Sequence, residues 1–352
     1  MQPIESVELF GRECGPGCPP LLVAELSGNH GGRIETALQM LEAAARAGAD
    51  AVKIQSYRAE SITIDHDGPG FRLEQGLWAG RTLYQLYQQA QTPWDWHPRL
   101  FRRARELGIA LFSSPFDTAA VDMLEELGCP VYKIASFELV DLELIAKVAA
   151  TAKPVILSTG MASLGEIEEA VRCFRGVEGH GPLLLLQCTS GYPTPVDEAN
   201  LSRIPLLRDC FQIPIGLSDH SQSPSVAIAA VALGACLIEK HFVLSRQQGA
   251  VDAEFSLEPE EFSALSRSCR EAWLALGSSG FQVTPAEQSH LNSRRSLYVV
   301  ADVPAGGLLD HSNLRSIRPG FGLHPRELPR VLGKRVRQAV AKGTPLRWEL
   351  LD

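Results

Sequence analysis

Two histidines and two hydroxyl or carboxylate residues stand where strands of this sequence are predicted to end. Ser218 and His220 are two residues apart in LSDHS, and Glu239 and His241 have the same spacing in EKHF. Because side chains alternate between the faces of a strand, the members of each pair point the same way. Two imidazoles with nearby water or carboxylate oxygens are typical of a divalent transition metal. We therefore expect His220 and His241 to bind a metal, with a general acid or base role for His241 as the alternative.

Two lysines lie inside otherwise apolar runs, where an unpaired ammonium group is costly. Lys53 occurs in AVKIQS and Lys133 in VYKIAS. One interpretation is a buried ion pair, for instance between Lys53 and Glu25. The other is a positive pocket for a phosphate or carboxylate group, completed by Ser and Thr hydroxyls and the backbone of Gly160. An acidic protein of net charge −8 needs such a local group of cations to bind an anion.

Composition and charge narrow the function classes. The 352 residues are 45% hydrophobic and 21% charged, which excludes a disordered, collagen-like or coiled-coil chain. With 33 Lys and Arg against 41 Asp and Glu, we expect no nucleic-acid partner and no membrane partner. No signal sequence or long apolar run is recognisable, so we expect a cytoplasmic enzyme. The eight cysteines are scattered, and Cys14 and Cys18 lack a second pair to complete a zinc site.

Alternating apolar runs and helical patterns predict the elements that position these residues. Eight candidate strands, each followed by a helical segment over about 250 residues, indicate a (β/α)8 TIM barrel, although a doubly wound sheet uses the same alternation. We predict the barrel in residues 1–277, a linker in 278–293 and a small β-rich domain in 294–352. The predicted strands are Leu21–Leu26, Ala51–Gln55, Ala110–Ser113, Val131–Ile134, Pro154–Ser158, Leu183–Gln187, Pro214–Leu217 and Cys236–Glu239.

One connection is too long for an ordinary βα loop. Residues 58–92 exceed the usual 2–6 residues, and long loops of barrels lie over the active-site face. The segment from 78 to 96 carries five aromatic residues that we expect either to select the substrate or to pack the loop itself, namely Trp78, Tyr84, Tyr87, Trp94 and Trp96.

A series of motifs resembles the sialic-acid-synthase family over nearly the whole chain. In order, they are AELSGNHGG, ADAVKIQSY, KIASFEL, LSTGM, CTSGYPTP, IGLSDHS, EKHF and SLEPEEF. The C-terminal RRSLYVVADVPAG and IRPGFGLHP resemble the SAF (antifreeze-like) domain of that family. Within the family, AELSGNH, KIASFE and LWAGRTLYQLYQQAQTPWDWH are similar to the pseudaminic acid branch.

This resemblance implies a transferase that condenses phosphoenolpyruvate with 2,4-diacetamido-2,4,6-trideoxy-β-L-altropyranose to a nonulosonic acid and phosphate. It also implies a domain-swapped homodimer and a divalent metal, with Mn²⁺ favoured and Mg²⁺ or Co²⁺ as alternatives. The residues that it assigns are Glu25, Lys53 and His241 for catalysis; Lys53, Ser114, Lys133, Ser136, Ser158 and Ser218 for phosphoenolpyruvate; Gln55, Tyr192, Glu239, Asp252 and the partner subunit's Arg318 for the sugar; and His220 and His241 for the metal.

Other interpretations remain open at this stage. A sibling synthase that uses the precursor of N-acetylneuraminate or legionaminic acid keeps every catalytic residue and differs in the loop and pocket. A metal-dependent aldolase or another barrel lyase has no need of the C-terminal domain. A non-catalytic carbohydrate-binding protein is expected to lose the lysines or the histidines, whereas all four are present. Tyr192, Asp252 and Arg318 could also be ordinary loop or surface residues.

Overall fold

The structure is a computed structural model that describes residues 4–352, beginning with a short antiparallel hairpin of β1 (Val7–Leu9) and β2 (Arg12–Cys14). Leu9 is buried in the hydrophobic core. Phe10 at the turn packs on Phe112 of a barrel strand, with ring centroids 5.0 Å apart. The hairpin therefore covers one end of the barrel. No periodicity in the sequence predicts it, because each strand is only three residues long.

Eight parallel strands close into a barrel in the order of the chain. Each strand pairs with the next, and the last pairs with the first through the register Leu237↔Leu21 to His241↔Glu25. The predicted TIM barrel is confirmed, with strand ends shifted by one or two residues. The strands are β3 (Leu21–Glu25), β4 (Ala51–Ser56), β5 (Ala110–Pro115), β6 (Tyr132–Ile134), β7 (Val155–Ser158), β8 (Leu183–Cys188), β9 (Ile215–Asp219) and β10 (Leu237–His241).

Helices connect the strands and bury one stripe each against the barrel. In α1 (Ile34–Arg46), Ala37, Met40, Leu41 and Ala44 are buried on one side of the helix. Of the stripe Ile34, Leu38, Leu41 and Ala45 that the 3.6-residue period predicts, only Leu41 is buried, so the predicted stripe is rotated from the buried face. Gly48 follows with φ +88°, a conformation that favours glycine and ends the helix. The other helices of this unit are α2 (Ala59–Ile62), α3 (Leu83–Ala90), α4 (His97–Leu107), α5 (Thr118–Glu126), α6 (Leu142–Ala149), α7 (Leu164–Gly176), α8 (Arg203–Phe211), α9 (Pro224–Ala232) and α10 (Pro259–Leu276).

The long connection 58–92 contains α2 and α3. Thr82 caps α3 through a reciprocal pair of hydrogen bonds with Gln85, so a local sequence signal starts this helix. Trp78 precedes it, and its indole Nε1 donates to the Val251 carbonyl at 2.9 Å. The segment is therefore attached to the loop that follows β10.

The second unit comprises residues 278–352 and has a separate core. It contains α11 (Pro285–Gln288), the antiparallel strands β11 (Ser296–Val299) and β12 (Leu314–Ile317), and α12 (Leu328–Val331). Leu297, Val299 and Leu346 are fully buried in that core. In residues 4–352, no helix is long and apolar enough to cross a membrane.

Candidate active site

Charged side chains of four barrel strands, β3, β4, β6 and β10, meet towards the carboxyl ends of the strands. Lys53 Nζ lies 2.9 Å from Glu25 Oε2 and 3.5 Å from Glu239 Oε1. Lys133 Nζ lies 3.4 Å from the same Glu239 oxygen. Ser114 Oγ accepts from Lys53 at 3.3 Å, and Ser218 Oγ donates to Glu239 at 3.0 Å. The structure thus contains the Lys53–Glu25 ion pair and also gathers both lysines in one pocket.

The mutual pairing explains how these charges remain buried. Although burial alone would raise the pKa of Glu239, Lys133 and Lys53 outweigh it and lower this pKa to about 2. Burial raises the pKa of Glu25; Lys53 opposes the shift and Glu239 adds to it. Burial also lowers the pKa of Lys133, more than Glu239 can offset. Glu239 is therefore the anion that balances the two ammonium groups.

Two serine hydroxyls flank Gly160, and a third serine, Ser158, lies two residues before it. Ser136 Oγ accepts from the Gly160 N–H at 3.1 Å. A Cβ at Gly160 would lie 2.3 Å from Ser190 Oγ and 2.6 Å from Ser136 Oγ, so only glycine fits between them. Ser158 Oγ is buried and has no hydrogen-bond partner among residues 4–352. The serine hydroxyls and the two lysines form a set of donors suited to an anionic oxygen.

The two histidines lie together on β10 and directly after β9. Their ring centroids are 5.3 Å apart. His220 Nδ1 lies 3.0 Å from the Thr189 carbonyl, and His241 Nδ1 lies 3.2 Å from Ser27 Oγ. Each ring therefore uses Nδ1 for a protein contact and keeps Nε2 for a ligand. Within residues 4–352, no cluster of three or more His, Cys, Asp or Glu side chains has the geometry of a metal site.

An aromatic cluster lies over the histidines. Tyr192 stacks on His220 at a centroid distance of 4.4 Å, and Phe255 lies 4.8 Å from His241. Trp78 of the long connection packs on Tyr192 at 5.7 Å. A cavity of about 790 Å³ adjoins Trp78 and Phe255. The barrel mouth thus has an apolar wall directly above the polar pocket.

Three other aromatic residues of the segment from 78 to 96 pack against neighbouring side chains. Tyr87 lies edge-on to Tyr57, and Trp96 lies edge-on to His30. Trp94 lies beneath the guanidinium of Arg58, 4.1 Å from the ring centroid. Tyr87, Trp94 and Trp96 thus fit the packing alternative, whereas Trp78 contacts the aromatic cluster over the histidines.

The remaining predicted residues fall into two groups. Gln55 is beside Ser114 in the strand register, and the pKa of Asp252 is raised by burial and lowered by the nearby Ser27 hydroxyl, which lies next to His241. Arg318 belongs to the second unit, where it is exposed and forms no ion pair with any residue in 4–352. The structure therefore places all the predicted barrel residues around one pocket and leaves Arg318 in the other unit.

Comparison with known proteins identifies the chain. The model of the NeuB family matches residues 40–280, and that of the SAF domain matches residues 294–352. The chain belongs to the NeuB family. It is 40% identical to the pseudaminic acid synthase of Helicobacter pylori over 93% of this chain and 96% of that protein. It is 37% identical to the N,N'-diacetyllegionaminic acid synthase of Campylobacter jejuni over 89% of this chain and 95% of that protein.

A solved structure of another NeuB relative agrees with the fold. The N-acetylneuraminic acid (sialic acid) synthetase of Leptospira borgpetersenii, crystallised with citrate, superimposes with a TM-score of 0.73. Its sequence is 33% identical, and the match covers 82% of this chain and 95% of that one. The resemblance predicted from the motifs is confirmed, as is the SAF domain after the barrel.

Two residues of this NeuB barrel escaped the sequence prediction. Glu138 follows β6, and its Oε2 is buried with no hydrogen-bond partner in residues 4–352; burial raises its pKa to about 7. Cys188 ends β8, with its Sγ 3.9 Å from His220 Nδ1. Burial alone would raise the pKa of this thiol, but His220 lowers it to about 7. Glu138 stands in the motif KIASFE and Cys188 in CTSGYPTP. Their positions at or just after the ends of strands were the sequence signal that could have identified them.

Proposed function

We propose that the chain condenses phosphoenolpyruvate with 2,4-diacetamido-2,4,6-trideoxy-β-L-altropyranose, giving pseudaminic acid and phosphate. The observation that carries the proposal is the meeting of Lys53, Lys133 and two histidines at the barrel mouth. They occur in a chain that is 40% identical to a pseudaminic acid synthase over 93% of its length.

The polar pocket suits phosphoenolpyruvate, which carries a carboxylate and a phosphate group. Lys53 and Lys133 supply two ammonium groups, and Ser114, Ser136, Ser158 and Ser218 supply hydroxyls nearby. The unpaired Ser158 hydroxyl gains a partner when an anionic oxygen enters. Entry of the anion also gives the lysines a second counter-charge, which frees Glu239 to contact the sugar.

The chemistry requires two bonds to form and one to break. The C3 atom of phosphoenolpyruvate attacks the aldehyde carbon of the open-chain sugar, and the aldehyde oxygen takes a proton to become a hydroxyl. Water adds at C2 and supplies both protons, one for the aldehyde oxygen and one for the departing phosphate, and cleavage of the C2–O bond leaves the ketone. Glu25 orients the reacting end of the sugar and exchanges the proton there, while the lysines hold the other substrate in line.

His220 and His241 would hold a divalent metal ion through their Nε2 atoms. Each Nδ1 already has a protein partner, which suits this ligand set. Water and substrate oxygens would fill the other positions, with Mn²⁺ favoured over Mg²⁺ or Co²⁺. When bound, the ion supplies Lewis-acid polarisation of the aldehyde.

The aromatic wall supports the choice of sugar. Trp78, Tyr192 and Phe255 present apolar faces above the histidines. A 6-deoxy sugar with two acetamido groups carries methyl groups that pack on such faces, whereas a polyhydroxylated chain loses hydrogen bonds to water there. The precursors of legionaminic acid and N-acetylneuraminate are the alternative substrates of the same mechanism.

A domain-swapped homodimer would complete the site with Arg318 of the partner subunit. Residues 278–352 carry eleven Lys and Arg and six Asp and Glu, a net charge of +5, whereas residues 1–277 carry −13. These opposite charges favour contact between the SAF domain of one protomer and the barrel of its partner. Around the mouth, five apolar side chains are more than half exposed, namely Phe137, Val140, Met161, Leu164 and Val196.

The test is release of phosphate from phosphoenolpyruvate with three sugars in parallel. The sugars are the diacetamido-trideoxy-altrose, N-acetylmannosamine and the legionaminic acid precursor, each with chelator and with added Mn²⁺. We expect chelator-sensitive release with the altrose alone. Release with another sugar would identify that sugar as the substrate. No release with any of the three would favour a non-catalytic carbohydrate-binding protein.

Two lysine variants make this assay specific for the pocket. Lys53→Met should abolish release. Lys147→Met, which removes a surface lysine paired with Asp122, is the matched control and should keep it. Equal activity of the two variants would contradict the role proposed for the pocket.

A further inference from the structure

Ser27 lies at the junction of three predicted site residues, two assigned to catalysis and one to sugar binding. It follows β3 directly and is 1% exposed. Its φ of +40° is in the left-handed region, which a residue other than glycine adopts at a cost. Such a conformation persists only where surrounding contacts fix it, so the contacts of Ser27 indicate what the strain maintains.

The backbone and the side chain of Ser27 contact different groups. Its N–H donates to Glu25 Oε1 at 3.1 Å. Its Oγ lies 3.2 Å from His241 Nδ1. The Asp252 carboxylate is close by: burial raises its pKa, and the Ser27 hydroxyl and the Gly28 N–H oppose that shift. One small residue thus connects a carboxylate of β3, an imidazole of β10 and a carboxylate of the following loop.

The single proton of the hydroxyl decides the direction of these hydrogen bonds. When Asp252 is ionised its carboxylate can only accept, and the Ser27 O–H is then directed towards Asp252. The Ser27 oxygen then accepts from His241, whose Nδ1 must carry the ring proton. Nε2 consequently keeps its lone pair, which is the form needed to bind a metal or take a proton.

We infer that Ser27 is a positioning residue that fixes the tautomer and orientation of His241 and the rotamer of Glu25. The inference rests on the proposed function for the catalytic roles of those two residues. Asn29 links the loop that carries Asp252 to the residue after β10. Its Oδ1 accepts the Asp252 N–H at 3.1 Å, and its Nδ2 donates to the Phe242 carbonyl at 2.9 Å. The loop that carries Asp252 is therefore held against Ser27.

Two substitutions separate positioning from folding. Ser27→Gly removes the hydroxyl and relieves the left-handed strain, so the fold should be at least as stable as that of the parent. Ser27→Ala removes the hydroxyl and keeps the strain. Ala152, with φ +59°, offers a matched control, because Ala152→Gly relieves the same kind of strain after α6 without removing a hydrogen bond.

The first measurement is the tautomer of His241 in the metal-free protein. Long-range ¹H–¹⁵N correlation of histidine-labelled protein reports it, with the resonance assigned by His241→Asn. We expect the Nδ1–H form in the parent and in Ala152→Gly, and a mixture of both tautomers in Ser27→Gly. An Nε2–H form in the parent, or an unchanged Nδ1–H form in Ser27→Gly, overturns the inference.

The second measurement is Mn²⁺ binding to the full-length protein by calorimetry. Ser27→Gly should weaken the affinity by about 10- to 100-fold, as loss of a partner behind a metal-binding histidine does. In the synthase assay its kcat should fall while the KM for phosphoenolpyruvate stays within about twofold. If the parent is inactive with all three sugars, the proposed function fails, and the tautomer still decides the role of Ser27. An unchanged Mn²⁺ affinity and an unchanged kcat in Ser27→Gly would contradict the positioning role of Ser27.

Discussion

Lys240 Nζ lies 2.7 Å from Asp219 Oδ2, on the opposite face of the strands from the site pocket. Both side chains are at most 2% exposed. Lys240 precedes His241 and Asp219 precedes His220, so the ion pair joins the two strand ends that carry the histidines. The Asp219 Oδ1 atom also accepts the Ser221 N–H at 2.8 Å, which fixes the turn after β9.

Breaking this ion pair should destabilise the barrel. Lys240→Met leaves the Asp219 carboxylate buried without a counter-charge, and we expect the free energy of unfolding to fall by about 3–5 kcal/mol. Urea denaturation measures the loss. The double variant Asp219→Asn with Lys240→Met removes both charges and should recover much of it. A loss below about 1 kcal/mol in the single variant would show that the pair is not an essential contact.

Acid should destabilise the protein through His97. Burial lowers the pKa of this imidazole to about 4, although the Pro93 carbonyl opposes the shift. Between pH 6.5 and 4 the unfolded state binds the proton and the folded state does not. The contribution of His97 is therefore complete above pH 6.5 and is lost as the pH falls to 4, on the order of 3 kcal/mol.

Urea denaturation of the parent and His97→Asn at several pH values isolates this contribution. The difference in unfolding free energy between the two proteins should shrink as the pH falls from about 7 to about 5. A difference that is independent of pH would mean that His97 does not titrate in this window.

Glu239→Gln should strengthen the binding of phosphoenolpyruvate while slowing the reaction. The substitution removes the anion that lies 3.4 Å from Lys133 and 3.5 Å from Lys53. We expect the Kd for phosphoenolpyruvate to fall by roughly tenfold because the lysines lose their competing counter-charge. Calorimetry with phosphoenolpyruvate alone measures it. Glu166→Gln, at an exposed helix start, is the control, and weaker binding by Glu239→Gln would refute the expectation.

Trp78 should determine the affinity for the sugar but not for phosphoenolpyruvate. Trp78→Ala removes the apolar face on Tyr192, and we expect the KM for the sugar to rise by about 10-fold or more. Trp78→Phe keeps an aromatic face but loses the hydrogen bond to the Val251 carbonyl, so its effect should be smaller. Steady-state kinetics with each substrate varied separates the two. A change confined to the KM for phosphoenolpyruvate would contradict this role.

Two inactive variants should restore activity when mixed, if the partner subunit supplies Arg318. Lys53→Met has an impaired barrel and an intact SAF domain, while Arg318→Gln has the converse. In a mixed dimer, one barrel has all its residues and receives Arg318 from the partner subunit. Unfolding and refolding an equal mixture should therefore recover about a quarter of the parental activity. No recovery would place Arg318 in its own subunit's site or outside the site.

Strand periodicity predicted which site residues lie on the β-strands. These residues come together because the carboxyl ends of the parallel strands meet at one end of a closed barrel. Lys53, Lys133, Glu239 and His241 were located in this way. The Lys53–Glu25 pair was left open between two interpretations, because strand spacing gives the face of a side chain and not its partner. The structure contains both a pair and a pocket, as Glu239 lies between the lysines.

Loop geometry was not predictable in the same way. The approach of Asp252 to Ser27 joins residues more than 200 positions apart through two irregular segments. Where α3 begins decides which aromatic residue of this segment lies at the site, as Trp78 does, and which ones pack elsewhere. The hairpin at the amino-terminal end also escaped prediction, because its strands are shorter than any periodic pattern.

The hairpin of β1 and β2, which covers the end of the barrel opposite the site, restricts the route of the substrates. With Phe10 packed on Phe112 at that end, both substrates and both products must pass the same aromatic mouth. The pocket at the strand ends lies deeper than the wall of Trp78 and Tyr192. On the proposed function, a sugar seated against that wall would block the passage to the lysines, so we expect phosphoenolpyruvate to bind before the sugar. Initial-rate patterns should then show sequential, ordered addition and exclude both random addition and a ping-pong scheme.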